Sequence, residues 1–249
     1  MALPQVVSRQ EWLKARRDFL VREKEHTRVQ DALNADRRRL PMVRIDKNYV
    51  FEGPGGAATL ADLFAGRRQL VVRHVMFGPD WDAPCPGCSA DIRQMTRSLF
   101  DDLAAHQTTH VLVSRAPYAK IQTAQQERGW DVPWFSAFGS DFNYDLRVTL
   151  DAQLPQLEYN YRVELELLPQ AGERSTELAG ISCFLRTGDD IFHTYSTYAR
   201  GMDYLAGTYP LLDLTALGRQ EDWEEPKDRN ETAKAWDPET FWTTTGGQP

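Results

Sequence analysis

No stretch of this 249-residue chain stays apolar for the ~20 residues that a membrane-spanning helix needs. Its start, Met1-Ala2-Leu3-Pro4-Gln5, has no basic segment leading into an apolar run. Membrane partners are therefore not expected, and the cytoplasm is the expected compartment. Positive charge is also short: the formal net charge of -7 argues against a nucleic-acid partner, although Arg37-Arg38-Arg39 makes a local basic patch. Three cysteines are too few for a secreted disulfide framework. No phosphate loop and no dinucleotide fingerprint occur, so no organic cofactor is expected. No internal repeat is visible either. What is present is ordinary globular material, 41% apolar and 26% charged, enough for one self-sufficient core with appendages.

From Ser8 to Arg39 the chain is charged and rich in helix formers, with Trp12, Phe19, Leu20, Val29 and Leu33 as a thin apolar stripe. Ser8 and Glu11 suit a capping box, and Pro41 marks the exit. We expect residues 1–41 to be a helical arm that packs on the domain edge or pairs two copies as a homodimer. Met42 to Phe51 reads as extended, followed by a turn at Gly53-Pro54-Gly55-Gly56 and a short helix at Leu60 to Phe64. The apolar run Leu70 to Phe77, closed by Gly66 and Gly78-Pro79, predicts an interior strand with Arg73 and His74 on opposite faces. Ile92, Met95, Leu99 and Leu103 predict one amphipathic helix from Cys88 to about Ala105.

A second strand at His110–Ser114 and a second helix at Pro117–Arg128, stopped by Gly129, follow. Such alternation gives a parallel sheet covered by helices. Trp134–Phe138 and Tyr161–Leu167 read as strands, Gly180–Arg186 and Ile191–Tyr198 as a hairpin, and Met202–Tyr209 as a helix. The expected domain is 42–218, a mixed sheet of about five strands between helices. Residues 219–249 are expected to be a poorly ordered or draped tail.

The chemistry lies in Cys85-Pro86-Gly87-Cys88. Thiol exchange needs an accessible thiolate and a second thiol close enough to resolve the mixed disulfide. A helix start meets both needs, because its unpaired N–H groups and dipole favour the thiolate, and proline is tolerated in the first turn. Cys85 is accordingly the expected nucleophile and Cys88 the resolving thiol, while nearby Asp80 and Asp82 are expected to raise the Cys85 pKa. His74, on the strand feeding this loop, is a candidate to accept or relay the Cys88 proton. Its bland reading is a satisfied core histidine.

Three segments carry a resemblance. His74 to Met95, Trp134 to Asp145, and Phe192-His193-Thr194-Tyr195-Ser196-Thr197-Tyr198-Ala199-Arg200-Gly201 resemble the thioredoxin-like family catalogued as domain of unknown function 899. Arg37-Arg38-Arg39-Leu40-Pro41 and Leu212-Asp213-Leu214-Thr215 match it too. The resemblance spans about Val7 to Arg219 and implies a thioredoxin-like α/β fold and dithiol-disulfide oxidoreductase activity. Trp81 stands four residues before Cys85, which gives a longer active loop than in ordinary thioredoxins. Ala179-Gly180-Ile181 occupies the place where a thioredoxin fold normally sets a cis proline opposite the cysteines.

Trp81, Tyr144, His193 and Tyr195 are candidate substrate-binding residues if the polar, aromatic segments line a cleft over the cysteines; those segments could equally satisfy one another beneath a loop. Cys183 reads as a small buried hydrophobe. Rival readings are a scaffold or partner-binding protein, a peroxiredoxin-like peroxidase and a metal carrier. The peroxidase pattern Pro-x-x-x-Thr-x-x-Cys is missing, since Asp82 stands three before Cys85. A structural zinc site wants two ligand pairs, and only one is present, with His74, His193 or Cys183 as further donors, so no metal is expected. A thiol or disulfide substrate, together with an electron donor or acceptor protein, is the partner set this chemistry requires.

Overall fold

A computed structural model describes residues 4–151, 153, 158–163, 175–205, 207–219 and 224–225. These residues fall in two compact units, one of residues up to Pro41 with those from Leu211 onward, the other from Met42 to Pro210. The first unit is built on α1, Arg9–Arg37. Ser8 caps it: its hydroxyl accepts from the Glu11 N–H, and the Glu11 carboxylate accepts from the Ser8 N–H, completing the capping box. Of the expected tail, only Arg219, Glu224 and Glu225 lie within the described residues.

The second unit opens with β1 (Val43–Arg44) and the hairpin of β2 (Val50–Gly53) with β3 (Gly56–Thr59), then α2 (Leu60–Leu63). β4 (Gln69–His74) leads through a loop to α3 (Pro86–Gln94) and α4 (Arg97–Ala105). Where the apolar spacing predicts one helix, the chain makes two, because Met95 turns extended at φ -79°, ψ 106°. β5 (Thr108–Ser114), α5 (Tyr118–Arg128), β6 (Trp134–Ser136) and α6 (Phe142–Asp145) follow. Gly129 ends α5 at φ 64°, a left-handed conformation that glycine adopts without steric cost.

Beyond them lie β7 (Thr149–Asp151), β8 (Glu158–Tyr159), β9 (Arg162–Val163), β10 (Ser175–Glu177), β11 (Gly180–Thr187) and β12 (Asp190–Tyr198). A 3-10 segment, Ala199–Leu205, and α7, Thr208–Leu212, stand where one helix was expected. Residues 164–167 of the strand expected at Tyr161–Leu167 lie outside the described residues.

The main sheet runs β1-β12-β11-β4-β5-β6-β2-β3, so it has eight strands rather than about five. Five of the six strands expected beyond Phe51 form its middle and short strands extend both edges, whereas the described part of the sixth, expected at Tyr161–Leu167, is β9, which pairs with β8 in a separate two-stranded ladder. β4, β5 and β6 are parallel, β11 is antiparallel to β4, and β12 antiparallel to β11. This is the thioredoxin-like arrangement, a strand-helix-strand unit continued by an antiparallel hairpin, with helices on both faces. One face packs Leu70, Val72, Val111 and Val113 on Leu60, Leu63 and Phe142. The other packs Val75, Phe77 and Leu112 on α3 and α5 through Cys88, Ile92, Tyr118 and Ile121. Alternation along β4 therefore sends Leu70, Val72 and His74 one way and Arg73 the other. No helix among the described residues is long and apolar enough to cross a membrane.

Candidate active site

The loop between β4 and α3 lies outside the carboxyl ends of the parallel strands, the usual crevice of open α/β sheets. Val75 still pairs with β5, donating to the Val113 carbonyl at 2.8 Å, and the chain then turns at Gly78. A side chain at Gly78 would stand 3.0 Å from the Trp81 indole, so glycine lets that ring lie over the loop. Lys120 of α5 fastens the loop from below, donating to the carbonyls of Pro79 at 2.9 Å and Trp81 at 3.0 Å.

Cys85 is the N-cap of α3 and Pro86 its first residue, so the helix starts two residues before the expected Cys88. Met76 holds both cysteines: its carbonyl accepts from the Cys85 N–H at 2.9 Å, and its own N–H reaches Cys88 Sγ at 3.4 Å. Both thiols are free; Cys85 is partly exposed and Cys88 buried. The Cys88 thiol, hydrogen-bonded to Cys85, draws the Cys85 pKa down to about 6, helped by the backbone N–H groups of Cys88 and Gly87 and opposed by burial and by Asp91. The same hydrogen bond, with burial and the neighbouring Cys85 charge, pushes Cys88 well up. The expectation that Asp80 and Asp82 raise Cys85 is thus corrected: the net shift is downward, and the opposing carboxylate is Asp91.

Asp91 stands one turn after Cys88 and pairs with Arg73 of β4, which also lowers the Cys88 pKa. Burial raises the Asp91 pKa against the pull of Arg73. Arg73 Nη1 also reaches Met202 Sδ at 2.9 Å. Sequence reading missed this pair because it is joined by the packing of α3 on the sheet, not by any local spacing.

His74 does not face the cysteines. Its ring is fully buried on the opposite side of the sheet, 5.7 Å from the Phe142 ring. The proton-relay role for which it was a candidate is therefore corrected in favour of the other reading, a core histidine. His74 belongs instead to a polar core that gathers the motif segments. His193 Nε2 lies 3.1 Å from the Tyr195 carbonyl and 2.7 Å from Ser196 Oγ; Ser196 Oγ is 2.8 Å from Ser182 Oγ, and Ser182 Oγ is 2.9 Å from His74 Nε2.

The Tyr195 carbonyl can only accept, so His193 carries its proton on Nε2. Passing that polarity along the hydroxyls leaves His74 accepting at Nε2 and protonated at Nδ1. The two buried atoms of this core without a close partner, His74 Nδ1 and Asn143 Oδ1, are then a complementary donor and acceptor. Burial holds His74 neutral, its pKa pushed down to about 3, with Arg73 and His193 adding to the shift and Asn143 opposing it.

Of the expected substrate-binding residues, two come together at the cysteine end. Arg115 donates to Glu177 Oε1 at 2.7 Å, stacks its guanidinium 4.5 Å from the Tyr144 ring centre, and Glu177 also accepts from Thr149 at 2.8 Å. The Glu177 side chain borders the same Gly78 position as Trp81, so Trp81 and Tyr144 flank one buried ion pair. His193 is on the far face, its ring 5.3 Å from Phe184. Tyr195 shares the cysteine face but pairs with Cys183 at the level of Val71, two strands from β4. Cys183 is only partly buried. Ala179 packs on the cluster around Cys88, and Tyr159 donates to its carbonyl at 2.7 Å. Among the described residues, no three His, Cys, Asp or Glu side chains group to hold a metal ion.

A thioredoxin-like sheet with a dithiol at the mouth of a helix defines the class. The chain belongs to the family described as "Bacterial protein of unknown function (DUF899)", which it matches over residues 1–239, further in both directions than the span of its motifs. Among curated proteins no match was found. Solved structures similar to this chain include a PrxQ mutant from Xylella fastidiosa, at 12% identity, covering 68% of this chain and 94% of that one with a TM-score of 0.43. Peroxidoxin BcpB from Mycobacterium tuberculosis matches at 14% identity over 64% of this chain and 85% of its own, with a TM-score of 0.41. Peroxiredoxin Q from Xanthomonas campestris does so at 14% over 60% and 79%, with a TM-score of 0.39.

Proposed function

We propose that this chain is a dithiol-disulfide oxidoreductase of the cytoplasm, with Cys85 as nucleophile and Cys88 as resolving thiol. The observation that carries the reading is the placement of the two thiols, Cys85 partly exposed as the N-cap of α3 and Cys88 buried one turn inside against the Met76 N–H, which shifts them in opposite directions. Cys85, half-open to solvent at the helix mouth, drops to about 6, while buried Cys88 rises. At pH 7 such a Cys85 is about nine-tenths thiolate, against about three parts in a hundred for an unshifted thiol.

In the reducing direction the Cys85 thiolate attacks one sulfur of a substrate disulfide, forming a mixed disulfide and expelling the other sulfur as thiolate. Cys88 then loses its proton and attacks Cys85 Sγ, releasing the second substrate thiolate and leaving a Cys85–Cys88 disulfide. Two electrons have passed to the substrate, and a donor protein must return them; with an acceptor protein the same steps run in reverse. Asp91, on this face of the sheet and raised by burial, replaces His74 as the group suited to take the Cys88 proton. Trp81 and Tyr144 are assigned to the substrate wall, and His193 and Tyr195 are not.

The test is a trap. A Cys88→Ser variant in cell extract should accumulate mixed disulfides on Cys85 that reductant releases. Complexes that persist unchanged in Cys85→Ser and withstand reductant would instead make the protein a binding scaffold.

A further inference from the structure

Helix α1 is twenty-nine residues long and none of them is buried. Its half-buried positions, among them Leu13, Arg16, Glu23, Gln30 and Asn34, lie along one strip. A second strip stays open: Trp12, Ala15, Phe19, Arg22, His26, Val29 and Leu33 recur at alternating steps of three and four. That is an unbroken heptad seam of the kind two helices share. Its large apolar members are about half exposed, Trp12 at 48%, Phe19 at 50%, Val29 at 60% and Leu33 at 52%.

We propose that this seam pairs with the same seam of a second copy, the two helices running antiparallel. Charge selects both the occupant and its direction. Arg9 to Arg22 holds five cations and two carboxylates, whereas Glu23 to Arg37 holds three cations and four carboxylates. An antiparallel pair therefore sets the basic half of each helix on the acidic half of the other. A parallel pair would stack Arg22 on the partner's Arg22 and basic half on basic half. In the antiparallel register centred near Lys24, Phe19 faces the partner's Val29, Leu33 faces the partner's Ala15, and Arg22 faces the partner's His26. Large side chains then meet small ones, and each interior polar residue meets a different group. The two symmetry-related polar layers that this makes fix register at some cost in stability.

Sedimentation equilibrium on the full chain tests the pairing. The expected result is a dimer that dissociates on dilution and weakens as salt rises, since the pairing charges are exposed. Phe19→Glu with Val29→Glu puts like charges in facing layers and should weaken association by about tenfold or more. Phe19→Lys with Val29→Glu should associate more tightly than that variant, because in the antiparallel pair the introduced cation faces the introduced carboxylate. A wild-type chain that is monomeric up to about 1 mM, or a dimer indifferent to the double glutamate change, overturns the proposal. Equal weakening by both double variants overturns the antiparallel arrangement.

Discussion

Replacing Cys88 by alanine tests the electrostatics of the site at its largest contribution. The Cys88 thiol is the principal cause of the low Cys85 pKa, ahead of the backbone N–H groups, and alanine removes it. A hydrogen bond to a charged acceptor is worth ~1.5–3 kcal/mol, and 1.36 kcal/mol moves a pKa by one. The Cys85 inflection should therefore rise from about 6 to between about 7 and 8, the helix-end N–H groups holding it below an ordinary thiol. The assay is the pH dependence of Cys85 alkylation in a Cys183→Ser background, with ultraviolet thiolate absorbance as an independent readout.

Cys88→Ser keeps a donor at the same place and should move the inflection less than Cys88→Ala does. The linkage to stability has a definite sign. A thiol depressed in the folded state stabilises the fold above its unfolded pKa of ~8.5. That contribution fades as pH falls to the folded value near 6. The wild type should lose this increment between those limits, and Cys88→Ala should lose less of it. An inflection that stays near 6 in Cys88→Ala would refute the assignment of the shift to the second thiol.

Asp91→Asn removes the carboxylate that opposes the Cys85 thiolate, so the alkylation inflection should fall. It also leaves buried Arg73 without its anion, and the stability measured by urea unfolding should drop by ~2–4 kcal/mol. His74→Gln should leave the pH profile of disulfide reduction unmoved, because the ring lies across the sheet from the thiols. The same change breaks a buried network and should cost ~1–3 kcal/mol in the same unfolding measurement. Gly180→Ala would bring a methyl group within 2.8 Å of the Tyr198 ring and 3.0 Å of Val148. Thermal unfolding should show a loss of ~1–3 kcal/mol, and an unchanged melting point would mean that β11 and Tyr198 yield without strain.

Local rules carried the reading of the fold a long way. The Ser8 cap, the Gly129 stop, the β4 and β5 runs and the hairpin around Gly188 are each set by residues within a few positions of one another. The break after Gln94 left no such mark. Ile92, Met95, Leu99 and Leu103 keep helical spacing straight through it, with neither proline nor glycine, while Gln94 Oε1 accepts from the distant Thr208 N–H at 3.1 Å. The short strand β3 was equally hidden, because a strand of four residues takes its identity from the neighbour it pairs with, whereas β1 falls within the segment from Met42 to Phe51 that reads as extended.

The same division separates the two cysteines from everything that tunes them. Cys85 and Cys88 announce their chemistry by spacing, since a two-residue interval at a helix start fixes their relation locally. Which face Arg73 and His74 take is also local, by alternation along β4. What waits on each face is not, because it depends on α3 folding back over the sheet and on β11 and β12 being laid beside β4. That is why the histidine could be read either as a proton carrier or as a core residue, and the arginine only as an interruption. In the folded chain the arginine holds Asp91 beside the dithiol, and the histidine closes a hydrogen-bonded core with Ser182, Ser196 and His193. The motif segments that mark the family divide accordingly. Phe192 to Gly201 and the Asn143 turn bring polar side chains to the core behind the sheet, while the Gly78–Cys88 loop builds the chemistry in front of it. The most recognisable residues of the sequence thus include many whose work is to hold β4 in place, and the reacting thiols depend on that strand for their partner charge.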